Sequence, residues 1–152
     1  MIGRESKVSN DIFFVCGLIE YVARLTNNRR SDVVNLIGRS KLQHFFELAD
    51  VYHSENIDKI ANDLILKYHI QTASYNNIVN AKYSIPSHWD ISKVFTRLIV
   101  NVFEERNSDP IDVLIEIYNS WICDKLQDYN SSLYYENPDY LFQSYKAGQL
   151  LA

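Results

Sequence analysis

The amino-acid sequence predicts an all-α protein, and three observations support this fold class. Apolar residues recur at the three- and four-residue spacing of a helix almost from end to end, whereas the alternation typical of strands is scarce. Only 4 glycines and 3 prolines occur in 152 residues, and 47% of the residues are hydrophobic, which excludes disordered and collagen-like chains. We therefore expect a single globular domain over residues 1–152, built as a compact bundle of seven or eight helices.

Four helices are predicted in the first half of the chain. Ser9 or Asn10 caps the first helix, which runs to about Thr26. Ser31 caps the second helix, which breaks near Gly38. The apolar spacing predicts the third and fourth helices over residues 42–52 and 56–70.

The second half begins with a connector, residues 71–88, in which we expect a short helix around residues 76–83. Asp90 is predicted to cap a helix that extends to about Arg106. Two further helices follow, each opened by a capping residue and a proline, which is a strong signal for a helix N-terminus. They begin at Asp109-Pro110 and Asn137-Pro138 and extend to about Leu126 and Leu150.

The two halves of the sequence are similar at an offset of about 80 residues. Ile12, Val15 and Ile19 match Ile91, Val94 and Leu98, which suggests repeat units 9–70 and 89–150 joined by the connector. Helical periodicity alone also produces apolar matches, so duplication and shared periodicity both remain open. The polar recurrence, which periodicity does not explain, is Glu55-Asn56-Ile57-Asp58 with Glu136-Asn137-Pro138-Asp139.

Sequence motifs for phosphate, cofactor and metal binding are absent. The four glycines are scattered, so no loop can present consecutive backbone amides to a phosphate. Cys16 and Cys123 have no second cysteine or histidine at metal-ligand spacing, and we expect neither a metal nor a cofactor. No apolar run approaches the roughly 18 residues of a membrane span. Two isolated cysteines suit a reducing compartment, so we expect a cytoplasmic protein with no membrane association.

Charge is unevenly distributed along the chain. The net charge is -4, but residues 1–41 carry seven basic and four acidic side chains, and the remainder of the chain is acidic. A helix, a glycine turn and a second helix within residues 32–52 have the order of a helix-turn-helix, which predicts a nucleic-acid-binding alternative. An ordinary antiparallel helix pair has the same order, and Phe45-Phe46 suits a core position. The candidate contacts to nucleic acid are Arg29, Arg30, Arg39 and Lys41.

Tyrosine is unusually frequent, with 11 in the chain and a cluster in the last quarter. Tyrosine buries a large area and keeps one polar tip, so such clusters favour protein–protein contacts. An alternative is that these tyrosines line the interface between the two halves as core residues. The candidate partner contacts are Tyr129, Tyr134, Tyr135 and Tyr140.

The first half also carries three features that resemble a known family. They are the apolar helix around residues 11–23, the Val33-Val34-x-Leu36-Ile37 helix, and Asp50-Val51-x-His53 before a further helix. From Asn10 to about Leu66 the chain resembles a small bacterial helical domain family of unknown function found in mobile-element and toxin–antitoxin-like neighbourhoods. The resemblance implies a toxin-like enzyme as the partner class. Asp50 and His53 join the candidate partner contacts.

Three functional hypotheses follow. The first is a non-enzymatic protein-interaction module, as an antitoxin or accessory subunit of a toxin-like enzyme. The alternative is a helix-turn-helix-like nucleic-acid-binding protein that uses the basic N-terminal region. The third is an enzyme with a dispersed site around His53, whose neighbouring carboxylates are otherwise explained as solvated helix caps.

Overall fold

Helices joined by short turns make up most of the chain. The computed structural model describes residues 2–79 and 81–152, with side chains from residue 7 onward in the first helix. These residues contain nine α-helices and one 3-10 turn, and no strand, so the predicted all-α class is confirmed. The helices are α1 (Ile2–Thr26), α2 (Arg30–Ile37), α3 (Arg39–Glu47), α4 (Ala49–Tyr52), α5 (Ile57–Lys67), α6 (His88–Arg106), α7 (Pro110–Tyr118), α8 (Trp121–Leu126) and α9 (Pro138–Ala147), and the 3-10 turn is Leu133–Tyr135.

The predicted starts of α1 and α2 are wrong. Helix α1 begins at Ile2, so Ser9 and Asn10 lie inside it, and the Lys7–Asp11 ion pair at 3.1 Å supports the helix across that point. Helix α2 begins after Arg29 with no side-chain cap, so Ser31 does not cap it. A capping residue type alone therefore does not start a helix where the flanking residues also favour helix.

The start of α6 differs from the prediction by three residues. Ser87, and not Asp90, is the N-cap, and its hydroxyl oxygen accepts the backbone N–H of Asp90 at 3.0 Å. Asp90 occupies the third helical position, where an acidic side chain favours the helix N-terminus. A side chain does cap the start of α6, as predicted, but the capping residue lies about one helical turn earlier in the sequence.

The polar recurrence between the halves forms the same structure twice. The side-chain oxygens of Asn56 and Asn137 each accept a backbone N–H two residues later, both at 2.8 Å, and so cap α5 and α9. Asp109 caps α7 in the predicted manner, with Pro110 at the first turn. Gly148, at φ 78°, ends α9 in a left-handed conformation that glycine adopts readily.

Two predicted helices are divided. The 42–52 stretch becomes α3 and α4, which meet at Leu48, and α3 begins earlier, at Arg39. The 110–126 stretch becomes α7 and α8, because Asn119 ends one helix and Ser120 precedes the next. The count of nine helices results from these breaks.

The connector between the halves is extended. The described residues between Ile70 and Ser87 form turns and extended backbone, with no helix around residues 76–83, where Asn80 lies outside the described residues. The backbone N–H groups of Ala73 and Tyr75 donate to the oxygens of Thr26 and Asn27 at the end of α1. The connector therefore completes the hydrogen bonding of that helix end.

One hydrophobic core contains side chains of both halves. Helix α1 packs most extensively on α6, and α2 and α3 pack on α7. Each half has the same order of elements: a long helix, three shorter elements, and a final helix of 11 or 10 residues. Helix α5 packs on α1 as α9 packs on α6, and α2 packs on α1 as α7 packs on α6, so these contacts correspond between the halves.

Candidate functional site

A buried polar cluster links both halves and the connector. Arg30 is fully buried, and it donates to Glu20 through Nε at 2.8 Å and Nη2 at 2.5 Å. Arg24 and the Tyr129 hydroxyl donate to the same carboxylate at 2.7 and 2.8 Å. Burial alone would raise the pKa of Glu20, but the adjacent guanidinium groups of Arg30 and Arg24 lower it to about 2. Glu20 and Arg30, at the centre of the cluster, are therefore charged groups shielded from solvent.

Two predicted contact residues belong to this interior. Tyr129 is 1% exposed, which removes it from the predicted partner surface. Arg30 is 0% exposed, which removes it from the predicted nucleic-acid surface. Both corrections have one cause: Glu20 lies on the buried face of α1, and its charge requires buried donors.

The remaining tyrosine candidates are accessible to different degrees. Tyr135 is 69% exposed, and its ring lies against that of Tyr134 with centroids 4.2 Å apart. Tyr134 is half-buried and donates its hydroxyl hydrogen to the backbone oxygen of Ser84 at 2.7 Å. The half-buried Tyr140 donates to the backbone oxygen of Leu151 at 2.8 Å. Tyr134 and Tyr135 are thus positioned together at the surface.

Asp50 and His53 are exposed at α4, which packs on α1 and α3. Asp50 forms an ion pair with Lys7 at 2.9 Å, and this contact and the charge of Lys7 lower the pKa of the Asp50 carboxyl. His53 is the residue that ends the short helix. The structure does not bring either residue to the tyrosine pair.

The exposed basic candidates already have partners. Arg29 lies over the Tyr75 ring, 4.5 Å from its centroid, and 3.8 Å from the Asp124 carboxylate. Arg39 donates to Asp112 on α7 at 2.5 Å. These contacts neutralise much of the charge that the helix-turn-helix alternative would direct at phosphates.

Helix α3, the predicted recognition helix, is part of the core. It buries Leu42 and Phe45, and Lys41 lies over the Phe45 ring at 5.1 Å. Burial lowers the pKa of Lys41, and the nearby charge of Lys67 lowers it further. The order of helix, glycine and helix here serves packing on α7.

A groove that the sequence did not indicate lies along α6. Its first part has a volume of about 500 Å³ between the first half of α1, the middle of α6 and the start of α9. Its apolar wall includes Phe13, Val100 and Pro138, and Ser9, Asn10 and Asn101 supply polar groups. This cavity and a second one that adjoins it at Arg97 and Pro138 together form what we call the α6 groove.

The second part of the α6 groove has a volume of about 270 Å³ and lies between α6, the 3-10 turn and α9. Tyr134 and Tyr135 line it, together with Leu141. Arg97 and Pro138 line both parts, so the two cavities adjoin there. The groove therefore combines the accessible tyrosine pair with a larger mixed surface, as protein-binding surfaces do.

Lys93 and Arg97 supply the positive charge of the groove. Both are exposed on one face of α6, four residues apart, and neither forms an ion pair or side-chain hydrogen bond with the described residues. Five other arginines have described side chains, and each has an acidic partner: Arg24, Arg29, Arg30, Arg39 and Arg106. Among the arginines with described side chains, Arg97 alone has no acidic partner within the described residues.

Sequence reasoning missed Lys93 and Arg97 because it summed charge over long segments. The segment after residue 41 is acidic overall, which conceals a local basic pair. A count at helical spacing would have found it, since no acidic residue lies three or four positions from Arg97. The groove itself depends on how α1 and α9 pack against α6, which no local pattern reports.

The described parts of the chain show neither a metal site nor a membrane-spanning helix, and both cysteines are buried. No cluster of three or more histidine, cysteine or carboxylate side chains there could hold a metal ion. No helix in those parts combines the length and the apolar character that crossing a bilayer requires. Cys16 and Cys123 are buried thiols, and burial raises the pKa of Cys16 to about 12 and that of Cys123 as well.

No model of a known protein family, no characterised protein and no solved structure matches this chain. The resemblance of the first half to a bacterial helical family therefore stays a prediction. The function has to be argued from the groove.

Proposed function

We propose that this chain is a non-enzymatic protein-interaction module that binds its partner in the α6 groove. The observation that carries the proposal is the groove itself, two adjoining cavities lined by aromatic, apolar and unpaired basic side chains. Interfaces are enriched in tyrosine and arginine, and their anchors occupy pockets of this kind. No histidine or cysteine lines either part of the groove among the described residues.

A toxin-like enzyme is the partner class that the family resemblance implies. With such a partner, the chain would act as an antitoxin or accessory subunit. The acidic excess outside residues 1–41 supports this version, because an acidic protein suits an enzyme whose cleft binds phosphate-bearing substrates. The groove supports protein binding in general and leaves the partner to experiment.

A photo-crosslinker placed in the groove tests the proposal. Val100→p-benzoylphenylalanine in the source cell should give a covalent adduct with a protein, and nuclease treatment should not remove it. The matched control is the same residue at Leu66, which is 74% exposed on α5. An adduct at position 100 that is absent at position 66 supports the proposal, whereas no adduct at 100, or the same adducts at both positions, contradicts it.

We also propose that the two halves descend from one duplicated unit. The matching order of elements and the two equivalent asparagine caps support this origin. Aligned half against half, related sequences should retain the Glu-Asn-x-Asp segments in register. Retention of the apolar positions alone would leave helical periodicity as the explanation.

A further inference from the structure

The basic pair in the α6 groove indicates the chemistry of the partner. We propose that the groove binds an acidic, extended segment of the partner protein, whose carboxylates pair with Lys93 and Arg97. This inference rests on the proposed function, because it specifies what the groove binds. Three features of the groove support it: unsatisfied charge, shape, and the balance of charges around it.

Lys93 and Arg97 carry like charges on the same face of α6. Two basic side chains four residues apart on a helix repel each other and destabilise it. Every other arginine with a described side chain has an acidic partner, as Arg106 has Glu116 at 2.9 Å. An incoming carboxylate would relieve the repulsion between Lys93 and Arg97.

Arg97 lines both cavities of the groove, of about 500 and 270 Å³, so it lies where they adjoin. A guanidinium there can bind a carboxylate through two parallel N–H···O bonds. The residues on either side of that carboxylate would then extend into the two cavities, where Val100 and Leu141 offer apolar contact.

The charge balance distinguishes an acidic peptide from nucleic acid. Two cations neutralise too few phosphates to hold a polyanion strongly at physiological salt, and the net charge of -4 opposes it. Glu136 lines the second cavity, so it would repel a continuous anion. A peptide avoids this conflict by placing acidic residues near Lys93 and Arg97 and an uncharged side chain beside Glu136.

Peptide display on the folded full-length chain tests the inference. Random 12-residue peptides are selected on three proteins: the wild type, the Lys93→Glu/Arg97→Glu variant, and the Lys59→Glu/Lys125→Glu control. The control reverses two exposed lysines outside the groove that also lack ion pairs within the described residues, so the change in net charge is identical. Circular dichroism verifies that all three proteins are folded.

Selected peptides are also tested for competition with crosslinking from position 100. We expect competing peptides to be enriched in Asp and Glu, and to lose about tenfold or more in affinity on the groove variant while keeping it on the control. The reversed groove should select peptides rich in Lys and Arg.

Two results would overturn the inference, each in a different way. Peptides that compete at position 100 without enrichment in Asp and Glu would leave the docking function standing and remove the acidic preference. A fluorescein-labelled 12-nucleotide DNA that binds through Lys93 and Arg97, with no competing peptide selected, would remove both the inference and the proposed function.

Discussion

Arg30 is a fully buried residue that is hydrogen-bonded to groups from three parts of the chain. Glu20 on α1 supplies the carboxylate, and Asn77 in the connector accepts from Nη2 at 3.4 Å. The backbone N–H of Arg30 donates to Gln127, after α8, at 3.3 Å. The sequence shows that these polar residues exist, but only the packed structure shows that they meet.

Removing one partner of the buried pair should destabilise the protein strongly. Arg30→Met leaves the Glu20 carboxylate buried with fewer donors, and we expect the free energy of unfolding to fall by about 3–5 kcal/mol. Urea unfolding monitored by circular dichroism measures this change. The control is Arg106→Gln, which breaks an exposed ion pair and should cost about 1 kcal/mol or less. Equal losses in the two variants would contradict the role assigned to burial.

The same carboxylate predicts a pH dependence. The pKa of Glu20 is about 2 in the folded protein, below the value of about 4.3 expected for an unfolded chain. Its contribution to stability is therefore complete above the unfolded value and lost as the pH falls towards 2. The stability difference between wild type and Glu20→Gln, from urea midpoints at pH 6, 4 and 3, should shrink on acidification. A difference that stays constant over this range would show that Glu20 titrates normally.

At the scale of the element, helix caps account for part of the difference between sequence and structure. Ser31 and Ser87 are the same residue type near a helix start, yet only Ser87 accepts a backbone N–H. We expect Ser87→Ala to lower the free energy of unfolding by about 1 kcal/mol. Ser31→Ala should change it by less than about 0.5 kcal/mol, since that hydroxyl caps nothing. Thermal or urea unfolding of the two variants, compared side by side, decides whether the caps are correctly assigned.

The Trp89 ring, at the start of α6, packs against α1 at Gly17. A Cβ added there would lie 2.6 Å from the ring of Trp89, closer than packed atoms come. In wild type, Gly17→Ala should therefore lose the gain of about 1 kcal/mol that alanine normally brings to a helix. With Trp89→Ala already present, the gain should appear. A double-mutant cycle of urea unfolding measures the coupling, and additive effects within about 0.5 kcal/mol would contradict the contact.

Helix existence was predictable from the sequence to a greater extent than helix limits. The apolar spacing identifies α1, α5, α6 and α9; α5 and α6 bury one face, whereas α1 is buried on every side over residues 14–20. It could not locate the break at Leu48, since residues on both sides have helical spacing and the interruption follows from packing of α4 on α1 and α3. The caps at Asn56 and Asp109 were predictable because they are strictly local hydrogen bonds.

At the scale of the whole molecule, neither half has a complete core. Helix α1 covers α6, and both contribute fully buried side chains such as Ile19 and Ile99. We therefore expect fragments 1–79 and 80–152 each to lack cooperative unfolding, and their mixture to regain helix content. Far-UV circular dichroism with thermal melting measures both properties. A fragment that melts cooperatively by itself would show that the halves are independent domains.

The candidate site shows where sequence reasoning reached its limit. The tyrosine cluster includes Tyr134 and Tyr135, which line the second part of the α6 groove, and their role as partner contacts stays a prediction. Arg97 was missed because charge was summed over long segments, and its position between two cavities is visible only in the packed structure. Tyr129 was misassigned because its buried hydrogen-bond partner, Glu20, is 109 positions away.

The buried polar cluster also bears on how the chain is synthesised. Glu20, Arg24 and Arg30 leave the ribosome long before Tyr129, whose hydroxyl donates to the Glu20 carboxylate in the finished fold. Until α6 emerges, α1 lacks the helix against which most of its apolar surface packs. Incomplete chains with such exposed surface are prone to aggregate. Translation of the last quarter therefore completes the fold, and nascent chains halted before residue 129 should depend on chaperones to remain soluble.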